Sequence, residues 1–261
     1  MKQISVVLLS FIAAAFLSVT VSGDAYGKSC NGIKDLASCP MSGCEPATSP
    51  HGIGNTAKRT IPPAGTPIKL TFDDFAALQD LADEVVDQNT DLTKAERGQL
   101  RELNLKSPNR TVSEGDLVEL TGFLIGLPNR PGASGAESVN CRLTGVRNSD
   151  FHIPMARHAS DSEFEGIVVE MIPQGRNEAW TTKKLKNIAT EKRPVMVRGQ
   201  LFYDNKHLVN DDPDEPKGGQ PKRFSLWEIH PVTEFLVCMT ASKKCTKPSQ
   251  FEALEDIPDP D

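Results

Sequence analysis

From Asp116 onward the residue pattern changes period in an order that few folds can accommodate: three strand-like segments, one helix-like segment, then two more strand-like segments. The strands are expected at 117–125, at 138–144 and 150–153 (two pieces that could form one bent strand), at 165–172, at 195–203 and at 226–237. Runs such as Ile167-Val168-Val169 suit a strand buried on both faces. In 180–190, Trp180, Leu185 and Ile188 can share one side of a helix while Lys183, Lys184 and Lys186 stay wet. A helix between the third and fourth of five strands is the order of a Greek-key barrel of the OB type. Small SH3-like barrels lack it, and an immunoglobulin-type sandwich needs more strands. The fold class expected is therefore mainly β with α: an OB-like five-stranded Greek-key barrel over 112–239, preceded by a short helical, Cys-containing N-terminal region. Gly122 inside the first strand predicts a bulge or a sharp bend there.

The start of the chain sets the compartment. After Lys2 no charge occurs until Asp24, and small residues at 21–23 and 25–27 offer cleavage after 23 or 27, so 1–27 reads as an export signal. Lys28 before Cys30 disfavours a lipid-modified cysteine. The mature protein is expected in the periplasm or outside the cell, without a transmembrane segment. All six cysteines (Cys30, Cys39, Cys44, Cys141, Cys238 and Cys245) lie beyond this leader and become disulfide candidates in an oxidising compartment. Three of them cluster near the N-terminus, so if all six pair, at least one bond must leave that cluster. A zinc site is the rival reading, weakened by the lack of a C-x-x-C pair.

Between leader and barrel, 28–70 is dense in Gly, Pro, Ser and Thr and reads as an irregular arm. Within 71–107 two helices are expected. Phe72, Phe75, Leu78, Leu81, Ala82 and Val85 recur at three and four residues behind the N-cap Thr71, predicting a helix over 72–88, and Thr93 to Glu96 has capping-box form before a second, short one. The acidic, Pro-containing 240–261 reads as a C-terminal extension on which Leu254 and Ile257 could still pack against the barrel.

Glu137-Ser138-Val139-Asn140-Cys141, Asp150-Phe151-His152-Ile153 and Leu226-Trp227-Glu228-Ile229-His230-Pro231-Val232-Thr233 together resemble a pattern shared by exported bacterial proteins of uncharacterised function. The resemblance spans roughly 112–239. It implies an OB-like domain and nothing about catalysis, since no activity is established for that family.

Alternation supplies the sharpest chemical constellation. Along a strand Asp150 and His152 share one face, Glu228 and His230 share one face, and Glu170 sits between apolar neighbours. If these strands are neighbours, two histidines and up to three carboxylates converge, a donor set for a divalent metal. Arg142, Arg147 or Arg176 would then steady an anionic transition state. The plainer reading is a set of structural hydrogen bonds. Loops 127–136 and 204–224 stand where OB barrels hold their ligands, and Lys222 and Arg223 add a basic rim. A net charge of −6 with 6% aromatic residues argues against a generic nucleic-acid binder. No Gly-x-Ser-x-Gly elbow and no phosphate-cradling Gly-rich loop before a helix is present. The leading expectation is an exported, disulfide-stabilised binding or interaction protein that takes an oligosaccharide, peptide or protein ligand without a cofactor. The competing one is a metal-dependent, nuclease-like hydrolase using Asp150, His152, Glu170, Glu228 and His230.

Overall fold

The computed structural model describes residues 30, 32–106, 109–126 and 137–260. The expected leader and the loop at 127–136 lie outside them. In chain order the elements are α1 (Pro50–Arg59), β1 (Ile68–Leu70), α2 (Phe72–Asp83), α3 (Lys94–Gln99), β2 (Leu103–Lys106), β3 (Asn109–Val112), β4 (Leu117–Leu124), β5 (Phe151–Ala156) and β6 (Ile167–Met171). They continue with α4 (Thr182–Glu191), β7 (Pro194–Tyr203), β8 (Trp227–Cys238) and β9 (Phe251–Ala253).

β4, β5, β6, β8 and β7 pair in that order, and β7 returns to β4 to close a five-stranded barrel. All contacts are antiparallel except β6 with β8, and α4 lies between β6 and β7, so the barrel has the Greek-key order read from the sequence. Phe151, Ile153 and Met155 of β5, Val169 of β6 and Trp227 and Ile229 of β8 point into the core. Residues between them necessarily face the outer wall. α2 plugs the barrel beside the start of β8: Trp227 Nε1 donates to the Leu78 carbonyl at 2.9 Å, and the Leu226 amide donates to Gln79 Oε1 at 2.7 Å.

Several local expectations are corrected. The segment 138–144 is no strand: Ser138–Asn140 forms one 3-10 turn, and Cys141 and Arg142 follow with φ of 53° and 57°. Two successive left-handed residues end any extended path. The arm at 28–70 contains α1, opened by Ser49, whose Oγ accepts from the Gly52 amide at 3.0 Å, with Pro50 at the first helical position. Its sequence is mostly polar, so no apolar stripe announced it. α2 begins at the expected cap, with the Thr71–Asp74 capping box formed, but stops at Asp83. The second helix is only Lys94–Gln99, because Leu103 and Leu105 enter the core from a strand that pairs with β3.

Gly122 sits in unbroken β4–β7 register, and the irregularity falls at Gly199 on β7. Gly122 serves close approach instead: a Cβ there would lie 2.5 Å from the Ala156 carbonyl oxygen. The C-terminal extension is tied in, for β9 pairs with β8 and Leu254 is fully buried.

The cysteines form three disulfides: Cys30–Cys44, Cys39–Cys141 and Cys238–Cys245. The second spans 102 residues and fastens the arm to the turn preceding β5. Asn55 of α1 reinforces this join, its Nδ2 donating to the Ser42 carbonyl at 3.0 Å and to Ser138 Oγ at 3.1 Å. No helix among the described residues is long and apolar enough to cross a membrane.

Candidate functional site

β5 and β6 are in register so that His152 stands opposite Glu170, and β6 lies parallel to β8 with Val169 opposite Ile229. The pleat therefore presents His152, Glu170, Glu228 and His230 on the same outer wall of the barrel. That wall is covered rather than wet. α1 lies over it, with Gln200 Nε2 donating to the Ala57 carbonyl at 2.7 Å and to the His230 carbonyl at 2.8 Å. Phe202 packs edge-on against the His230 ring at a centroid separation of 5.4 Å.

Beneath this cover runs a chain of ionisable groups. Glu170 Oε1 is 3.0 Å from His152 Nε2, and Glu170 Oε2 is 2.9 Å from His230 Nδ1. His230 Nδ1 also makes a hydrogen bond with Glu228 Oε2 at 3.4 Å. Glu228 receives the Arg223 guanidinium, whose other arm donates to Asp204 Oδ2 at 2.9 Å. Asp204 is further approached by Lys58 Nζ at 3.7 Å and His207 Nε2 at 3.4 Å. Asp150 enters from the end of the 137–150 connection, its Oδ1 accepting from Asn140 Nδ2 at 3.0 Å. Asp150, Glu170, Glu228 and His230 are each no more than 1% exposed, whereas the side chains of His152 and Glu137 remain 29% and 31% exposed, with Glu137 Oε1 3.8 Å from His152 Nε2.

The groups bias one another strongly. Burial alone would push both imidazoles down, but the Glu170 carboxylate outweighs it, raising His152 to about 9 and His230 to about 10. Glu170 itself is held well below the usual carboxylate range, because His152 and His230 override its desolvation. Burial, and then the neighbouring Asp150 charge, lift Glu137 to about 7. Burial also raises Glu228, assisted by Glu170.

No family model, curated protein or solved structure matches this chain. The chemistry of the wall therefore stands on its own residues.

All five residues singled out by alternation (Asp150, His152, Glu170, Glu228 and His230) meet on this wall. Asp150, Glu170 and His230 each bring one donor atom within 4.8 Å of the others, a grouping that could hold a metal ion. The cysteine grouping Cys30, Cys44 and Cys141 is committed to disulfides. The basic candidates disperse. Arg223 is fully buried and engaged by Glu228 and Asp204, so it offers no rim charge. Arg176 stacks 3.6 Å above the Phe151 ring and donates to the carbonyls of Val146, Ser149 and Met171. Arg147 is exposed near it. Lys222 lies 5.1 Å over the Phe164 ring, at the edge of a cleft of about 200 Å³ floored by His152, Glu170 and Glu228. Arg142 lines a second cleft of about 540 Å³ with Lys58 and Glu137. His152 of the smaller cleft and Glu137 of the larger one stand 3.8 Å apart.

Sequence reasoning did not find Glu137, Asn140, Lys58, Asp204 or His207. Asp204 and His207 carried a weak signal, an acid and a histidine three apart just beyond a strand. The loop 204–224 is also less free than its composition implies: Asp204, Asn205, Asn210 and Arg223 are buried, and Asn210 and Arg223 exchange backbone hydrogen bonds of 3.0 Å.

Proposed function

We propose that this protein is an exported hydrolase acting on an ester or phosphodiester at the His152–Glu137 contact. One observation carries the reading. Three carboxylates and a histidine from two strands and an adjoining turn are buried on the outer wall, directly behind the half-exposed His152 and Glu137. Burying charged groups costs stability that apolar residues would not, and ionisable clusters beside a cleft are common in catalytic sites. The three disulfides support folding in an oxidising compartment. A saccharide or peptide binder would be expected to present aromatic rings on this face, yet Phe151, Phe202, Tyr203 and Trp227 are all buried.

In the reaction, a water beside Glu137 loses a proton to that carboxylate as its oxygen attacks the carbonyl carbon or phosphorus. The bond to the leaving oxygen breaks, and the His152 imidazolium protonates that oxygen. Glu170 keeps His152 oriented and charged, and Arg142 steadies the anionic transition state. The test is a panel of chromogenic carboxylic, phosphomonoester and phosphodiester substrates. Turnover of at least one class, lowered 10²- to 10⁴-fold in both His152→Ala and Glu137→Gln, supports the reading. No turnover of any class, or turnover unchanged in both variants, overturns it.

A further inference from the structure

The anchoring of Asp150, Glu170 and His230 follows one pattern. In each residue one polar atom is held by a neighbour: Asp150 Oδ1 by Asn140, Glu170 Oε1 by His152, and His230 Nδ1 by Glu228. In Asp150 and His230 the other polar atom, Oδ2 and Nε2 respectively, is fully buried and lacks a hydrogen-bond partner. An unsatisfied buried polar atom is costly, and two in one cluster call for a partner. Oε2 of Glu170 has only the ion-pair contact with His230. The anchors also have supports of their own. Asn140 Oδ1 accepts from Gln174 Nε2 at 2.8 Å, and Glu228 is braced by Arg223. Such outer hydrogen bonds orient the ligands of metal sites and fix the tautomer of a coordinating histidine.

We infer that Asp150, Glu170 and His230 form a divalent-cation site. One ligand atom from each lies within 4.8 Å of the other two, the scale of opposite or adjacent positions around a single ion. One imidazole, whose proton the ion displaces on binding, together with two carboxylates suits Zn²⁺ or Mn²⁺ better than the oxygen-seeking Ca²⁺ or Mg²⁺. Three protein ligands leave room for water, the arrangement of a catalytic rather than a closed structural site. Glu170 and Glu228 floor the smaller cleft, which gives an ion a way in. The inference goes beyond the hydrolase reading and does not need it, for cation binding is read without any substrate. If both hold, the ion adds Lewis acidity beside His152.

The test uses the full, disulfide-bonded chain, stripped with a chelator and titrated with Zn²⁺ and Mn²⁺ by calorimetry, with bound metal counted by elemental analysis. One equivalent is expected, with affinity lowered at least 10-fold in Asp150→Asn and in Glu170→Gln and unchanged in Asp212→Asn, a control in the exposed acidic turn at 211–216. Co²⁺ added to the unaltered protein gives an independent readout through its visible d–d bands, so a variant that fails to fold does not shield the inference. No stoichiometric uptake and no such bands overturn it, as does uptake that survives both ligand variants or is lost with Asp212.

Discussion

His152 and Glu170 face each other across the β5–β6 ladder, Nε2 to Oε1 at 3.0 Å, and the same carboxylate reaches His230 on the next strand. One buried group thus ties three barrel strands together. Replacing Glu170 by Ala removes the closest counter-charge of two imidazolium groups, one of them fully buried, and leaves only the longer contacts of His230 with Glu228 and of His152 with Glu137. The expected loss is about 3–5 kcal/mol, read from urea unfolding at neutral pH. Glu170→Gln, which keeps the shape and some hydrogen bonding, should lose less. Equal midpoints for wild type and the Ala variant would show that the pairing contributes nothing to stability.

Asp204 gives the fold a defined acid sensitivity. Burial alone would raise its carboxyl, but Lys58 and then Arg223 outweigh that and hold it far below the usual range. A carboxyl depressed on folding stabilises the native state fully above its unfolded value near ~3.9, and that contribution declines as the pH falls below it. Stability measured between neutrality and pH ~2.5 should therefore drop below pH ~4, and Asp204→Asn should flatten that part of the curve. A variant curve parallel to wild type throughout would show that Asp204 is not the group responsible.

The disulfides should rank by the loops they close. With separations of 102, 14 and 7 residues, loop-closure entropy gives upper values of about 4.7, 3 and 2.4 kcal/mol. Paired Cys→Ser variants should lower the thermal midpoint in the order Cys39/Cys141, Cys30/Cys44, Cys238/Cys245. The first pair should also weaken the site, because it fixes the turn from which Asn140 holds Asp150. A midpoint least affected by losing Cys39–Cys141 would contradict the ranking.

At Gly199 the β8 backbone comes close against β7. A Cβ there would run into the Pro231 carbonyl oxygen and sit 2.7 Å from Ile229 Cγ2. Backbone cannot yield as a side-chain tip does, so Gly199→Ala should destabilise by about 1–3 kcal/mol, the usual cost of overpacking. Gly218→Ala, where no atom lies within 4 Å of the added methyl, should leave the unfolding midpoint within about 0.5 kcal/mol of wild type. Equal effects at the two positions would remove the steric argument.

Much of this protein was legible in its sequence because the signals were local. Period-two alternation in Asp150-Phe151-His152 and Glu228-Ile229-His230 already assigned the faces of those residues, and the one helix-like stretch after Asp116, at 180–190, marked the barrel order. The capping residues Thr71 and Thr93 likewise announced their helices within four positions. What tertiary structure alone decided depends on contacts between distant residues. Cys39 meets Cys141, Gln200 meets Ala57 and Arg223 bridges Asp204 to Glu228 only once the barrel has closed and α1 has settled on its wall. That cover also decides the chemistry. On an open sheet face these acids and histidines would be solvated groups with ordinary proton affinities; shut away from water, the same residues are forced to pair and to raise or lower one another.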